Sequence, residues 1–94
     1  MHFVIINTDK PDSVDLRMKT RETHLEYLRA AGGALVTAGP TLTDDGKTPT
    51  GSVLIYEAES LDAAKAFAAG DPYAQAGLFS SSVVKPWRLT FPEG

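Results

Sequence analysis

Four strand-like runs and two helical stripes follow one another in the order strand, helix, strand, strand, helix, strand. That order predicts an α+β fold of the ferredoxin-like type: a four-stranded antiparallel sheet with two main helices on one face. A second observation concerns the other face. The runs Phe3–Ile6 and Val53–Tyr56 are apolar at every position rather than at alternate ones, the pattern of strands buried on both sides. Two helices cover one face, and no further segment is left for the other. The economical cover is a second copy, so the pattern predicts a homodimer packed sheet to sheet. The 94 residues suit a single domain over 1–94, with a modest core.

The elements are justified in turn. The first strand, His2–Thr8, is rich in β-branched residues and stops at Asp9-Lys10-Pro11. A long helix spans Asp12 to Ala31. Asp12 is placed to cap it, with Asp15 three residues on, close to a capping box. Val14, Met18, Leu25 and Leu28 fall at helical spacing and predict its core stripe, and Gly32-Gly33 stops it. Arg17, Arg21 and His24 stand at i, i+4 and i+7, on a polar stripe beside the apolar one, at the rim of the core.

A short second strand covers Ala34–Ala38, closed by a Gly39-Pro40 turn. The polar segment Thr41–Thr50 reads as a loop or hairpin connection to a third strand over Gly51–Ala58. Ser60 caps a second helix, which buries Leu61, Ala64, Phe67 and Ala68. Gly70 is expected to end that helix in the left-handed conformation. Asp71 and Pro72 then start a short new one as N-cap and first residue, and Gly77 ends it. The last strand lies within Phe79–Phe91, where Pro86 signals an edge, a bulge or a bend.

Composition excludes several classes of function. The net charge of −3 argues against nucleic acid or an anionic membrane as partner, since both select basic patches. No apolar run approaches a membrane span, and the strand pattern starts at residue 2, without the features of a signal peptide. The absence of cysteine removes disulfides, thiol nucleophiles and thiolate-bound metals, and agrees with a cytoplasmic location. With two histidines, no cysteine and no clustered carboxylates, neither a metal nor haem is expected. No glycine-rich phosphate loop follows a strand and opens a helix, and no cofactor is expected; the serines at 80–82 lack a nucleophile elbow and are expected to line a sheet face.

His24 and Asp71 carry the candidate chemistry. His24 is the candidate general acid or base, because its ordinary pKa lies near 6.5. Asp71 is either only a helix cap or a carboxylate that the Gly70–Pro72 corner presents to a pocket. Arg17 and Arg21 can grip a carboxylate or phosphate in a fork, or belong to a charged outer face. Tyr27, Tyr56 and Tyr73 can donate hydrogen bonds, or serve only as packing.

Five segments together resemble the YCII-related domain family: Arg21–Leu28, Thr37–Pro40, Ser60–Ala64, Gly70–Phe79 and Val84–Trp87. The ordered set is more specific than any one piece. The resemblance implies a ferredoxin-like fold that dimerises into an α+β barrel. It also implies a pocket holding a histidine and an aspartate, here His24 and Asp71. It also suggests that Arg21 and the Gly39-Pro40 turn lie near that pocket; together with Arg17 and Tyr73, read from the residues themselves, Arg21, Gly39 and Pro40 are the expected substrate-binding residues. A related member acts as a dehydrochlorinase on a chlorinated hydroxyquinol, and the wider superfamily includes lactone isomerases and cofactor-free monooxygenases.

Three functions are weighed, and the His24–Asp71 pair favours two of them over a structural or interaction domain with a vestigial pocket. One is a cofactor-independent lyase, dehydrohalogenase or isomerase in which His24 moves a proton and Asp71 fixes its tautomer, on a small cyclic or aromatic acid. The other is a dimeric module that binds or senses such a ligand without turning it over. No nucleophile is evident, so proton abstraction with elimination or isomerisation fits better than acyl transfer.

Overall fold

The computed structural model describes residues 1–93. Strand β1 (His2–Asp9) is followed by helix α1 (Val14–Ala31) and a single 3₁₀ turn, Gly32–Ala34. Strands β2 (Leu35–Leu42) and β3 (Pro49–Glu57), helix α2 (Leu61–Gly70), the short helix α3 (Pro72–Gln75) and strand β4 (Phe79–Trp87) complete the order. The four strands form one antiparallel sheet in the order β2-β3-β1-β4. This is the ferredoxin-like α+β architecture.

Register sorts the side chains onto two faces. Phe3, Ile5 and Asn7 of β1 stand opposite Tyr56, Leu54 and Ser52 of β3. This face lies under the helices: Phe3, Ile5 and Leu54 are at most 2% exposed. Ala64 of α2 and Leu78, both fully buried, close the core from above. The opposite face carries Val4, Ile6, Val53, Ile55 and Val83, paired across three strands. Ile6, Val53 and Val83 are 41%, 37% and 41% exposed. The doubly apolar runs thus divide into a covered half and an open half.

Several details depart from the expectations. Asp12 does not cap α1; it takes φ 56° in the turn before the helix. Aspartate tolerates that left-handed conformation better than most residues. Ser13 occupies the N-cap position, but its hydroxyl donates back to the Pro11 carbonyl and makes no capping bond. Val14 and Met18, expected in the core, are 40% and 57% exposed, and the buried residues of α1 are Arg17 and His24. The helix is rotated so that Arg17 and His24 of its polar stripe face inward, where partners on other elements satisfy them, while Arg21 between them stays exposed.

The expected Gly39-Pro40 turn lies inside β2, which runs on to Leu42. Pro40 pairs with Ser52 on the inner side of an edge strand, where its missing N–H costs no ladder bond towards the solvent side. The hairpin turn is Thr43–Thr48, closed by a Thr43 N–H to Thr48 carbonyl bond of 2.9 Å, with Gly46 at φ 75°. Pro86 sits on the other edge strand, β4.

Gly70 is helical rather than left-handed; Gly77, at φ 78°, takes that role after α3. Glycine is needed at position 70 for space. A Cβ there would lie 2.6 Å from the hydroxyl oxygen of Tyr27. That hydroxyl donates to the Phe67 carbonyl at 2.9 Å, tying α1 to the end of α2.

Candidate active site

Helix α1 brings three polar side chains over the β2–β3 half of the sheet. Below it lies a cavity of about 260 Å³. Arg17, Arg21 and His24 line it from α1, Gly39 and Pro40 from β2, and Tyr73 from α3. Met18, Leu25, Leu28 and Leu54 supply apolar wall, and Ser52 a polar floor. The structure therefore gathers every expected site residue around one cavity, except Asp71, which stands behind His24.

The Nδ1 atom of His24 lies 2.7 Å from Oδ1 of Asp71. The same carboxylate oxygen accepts the Tyr73 backbone N–H at 2.9 Å. Both readings of Asp71 hold at once: it caps α3 and it grips the imidazole. An ionised carboxylate can only accept, so the proton of the neutral ring sits on Nδ1 and the Nε2 lone pair is left free. Nε2 has no hydrogen-bond partner among the described residues. The ring is held flat as well. It stacks on Tyr73 with centroids 3.9 Å apart and planes 15° apart.

The Tyr73 phenol is raised above its ordinary pKa, chiefly by burial, against the pull of the Arg17 and Arg21 charges. It stays a neutral donor.

The arginines divide. Arg21 is exposed and makes no ion pair or hydrogen bond among the described residues, so it presents a free cation at the cavity mouth. Arg17 is 5% exposed and already holds a carboxylate: Nε and Nη2 donate to Asp9 at 2.7 and 2.9 Å. Nη2 also reaches the Ser52 hydroxyl oxygen at 3.1 Å. Burial works against the guanidinium charge, but the hydrogen bonds and charge of Asp9, helped by Tyr73, hold its pKa above the ordinary value. The fork expected to grip a substrate therefore grips Asp9.

Asp9 and Ser52 were not among the expected site residues. Ser52 left a legible signal, because strand alternation puts it on the same face as Leu54 and Tyr56, where a hydroxyl needs a partner. Asp9 showed only as a strand end.

Among the described residues, no three His, Asp or Glu side chains come together as metal ligands, and no helix is long and apolar enough to cross a membrane.

Residues 1–88 match the YCII-related domain. The chain belongs to the YCII-related domain family. An uncharacterised protein of Haemophilus influenzae is 40% identical over 98 residues, covering 97% of this chain and all of that one. Protein YciI of Escherichia coli is 42% identical with the same coverage. Among solved structures, the chain is similar to 5-chloro-2-hydroxyhydroquinone dehydrochlorinase, TftG, from Burkholderia phenoliruptrix, in complex with 2,5-dihydroxybenzoquinone. The two share 37% identity and a TM-score of 0.89 over the whole of both chains. SnoaB from Streptomyces nogalater, a cofactor-independent oxygenase, has a TM-score of 0.56 at 15% identity, covering 98% of this chain and 96% of its own. This last likeness is one of fold.

Proposed function

We propose that this YCII-related protein is a cofactor-independent enzyme that eliminates or isomerises a small ring compound bearing acidic oxygens, with His24 as its acid–base group. The observation that carries the proposal is the 2.7 Å His24–Asp71 contact at the wall of the cavity. Asp71 holds the imidazole with Nε2 unprotonated and stabilises the imidazolium that forms when Nε2 takes a proton.

Size supports a single ring. A cavity of about 150 Å³ takes benzene, so one of about 260 Å³ takes a six-membered ring with several substituents. Arg21 at the mouth favours an anion. The likeness to TftG, a dehydrochlorinase, supports a reaction of the same type. In such an elimination Nε2 of His24 accepts a proton from the substrate, the electron pair it leaves moves into the ring, and a leaving group such as chloride departs with its bonding pair. The proton later leaves Nε2 for solvent.

The test is to incubate the protein with 5-chloro-2-hydroxyhydroquinone and related ring acids, and to follow chloride release and product absorbance. Turnover lost in His24→Asn and reduced in Asp71→Asn is expected. Unchanged turnover in His24→Asn overturns the assignment. Ligands that bind and are never consumed place the chain with the binding modules.

The functional unit is proposed to be a homodimer closed over the open sheet face of Ile6, Val53 and Val83, giving the α+β barrel. The support is the contiguity of these half-exposed apolar side chains across three adjacent strands.

A further inference from the structure

Two turns of α1 away from His24, the cavity meets a second polar group that the His24–Asp71 pair does not use. Arg17 spends Nε and Nη2 on Asp9, and Nη2 also on Ser52. Nη1 donates to neither of them, and the one further polar group beside the guanidinium is the Tyr73 phenol. The Ser52 hydroxyl is 4% exposed and accepts from Arg17, so its own proton points away from the guanidinium. Arg17 and Ser52 both line the cavity, beside Leu54 and Pro40.

This end of the cavity therefore offers donors in a mostly apolar surround. A buried hydroxyl that accepts from a cation becomes a stronger donor itself. Asp9 neutralises the guanidinium and fixes its plane, so the attraction left over is directional hydrogen bonding rather than a full positive charge. Such a group suits a delocalised phenolate or enolate oxygen better than a phosphate dianion. The His24 ring centroid and the Arg17 guanidinium carbon lie 3.9 and 4.6 Å from the Tyr73 ring centroid, and all three residues line the one cavity.

We propose that Arg17 Nη1 and the Ser52 hydroxyl form an oxyanion seat for a ring oxygen of the ligand, with Asp9 as the positioning residue that holds the guanidinium. The inference rests on the reading of His24 as the acid–base group and adds where the charge goes. When His24 Nε2 takes a proton, the electron pair left behind enters the ring and is held in part on the seated oxygen, as an enolate where that oxygen is a ring carbonyl, until the leaving group departs with its own bonding pair. Donors aimed there act on the charge as it develops.

The test measures binding of 2,5-dihydroxybenzoquinone, ionised near neutral pH, and of its uncharged dimethyl ether, by calorimetry on the full chain. The wild type is expected to prefer the hydroxyquinone by about tenfold or more, the scale of a hydrogen bond to a charged group. Ser52→Ala should lose most of that preference and Ser52→Thr should keep it; a merely structural serine would lower the melting temperature and leave the preference unchanged. A wild type that binds neither probe or favours the ether, or a Ser52→Ala variant with undiminished preference, overturns the seat. Turnover is scored separately. Preference that depends on Ser52 without any turnover keeps the seat and removes the catalytic reading; turnover with Ser52-independent preference does the reverse.

Discussion

The hydroxyl of Tyr27 occupies the space that a side chain at Gly70 would fill, 2.6 Å from where its Cβ would stand. Tyr27 is one turn beyond His24 on α1, and Gly70 immediately precedes Asp71. The phenol that fixes the end of α2 therefore stands beside the corner that carries the carboxylate. Gly70→Ala should push the phenol off the Phe67 carbonyl and cost about 1–3 kcal/mol, as overpacking does. In a Tyr27→Phe background the oxygen is gone and the added methyl meets less resistance, so the cost should shrink. A double-mutant cycle by urea denaturation measures the coupling, and additive effects would show that the two positions are independent.

Asp71 serves two bonds with one oxygen, so its substitutions separate them. Asp71→Ala should lose the α3 cap at a cost of about 1 kcal/mol. It should also release the His24 ring from its Nδ1–H tautomer. Nitrogen NMR of the imidazole reports which ring nitrogen carries the proton. A wild-type spectrum already showing Nε2–H would contradict the assignment.

The buried Arg17–Asp9 pair makes a prediction about stability. Its side chains are 6% and 8% exposed. Arg17→Met leaves the Asp9 carboxylate without its partner in the interior and should cost about 3–5 kcal/mol. Adding Asp9→Asn removes the stranded charge and should restore most of that loss. Equal stabilities for the single and double variants would mean that Asp9 finds water or another donor.

Alkaline stability follows from two phenols, the half-buried Tyr27 and the buried Tyr73. Tyr27 is raised above its ordinary value of 10.0, first by burial and then by the charge of Asp71, and Tyr73 is raised mainly by burial. A phenol whose folded pKa lies above its unfolded one contributes stability in full below the unfolded value. It loses that contribution as pH rises through the folded value. Unfolding free energy should therefore fall above about pH 10, more gently in Tyr27→Phe than in the wild type. Parallel curves for the two proteins would count against burial of the Tyr27 hydroxyl.

The open sheet face supplies a prediction about assembly. Val53→Lys or Ile6→Lys places a charge amid half-exposed apolar side chains without touching the cavity. Sedimentation of the wild type should give a dimer, and of either variant a monomer. A wild type that sediments as a monomer at micromolar concentration would remove the barrel proposal.

Much of this protein was legible in its amino acids, because the signals were local. Alternating and continuous apolar runs marked the strands, and their order named the fold. Asp71-Pro72 announced a helix start, and the structure caps α3 there through the Tyr73 N–H. The i, i+4, i+7 spacing put Arg17, Arg21 and His24 on one stripe, and that stripe lines the cavity. What the residues alone left undecided was the rotation of α1 about its axis. Val14, Met18, Leu25 and Leu28 made the natural core stripe, but burial of a polar stripe depends on whether partners are waiting for it. Those partners, Asp9, Ser52 and Asp71, lie 8, 35 and 47 residues away along the chain, and only the folded sheet and the α2–α3 corner bring them within hydrogen-bond reach. The same holds for Gly39-Pro40, a turn by local chemistry and part of a strand because β2 is an edge. Gly70, too, is a glycine for the sake of a phenol on another helix. Local preference sets which elements form; which of their faces turn inward is decided by contacts that exist only once the chain has closed on itself.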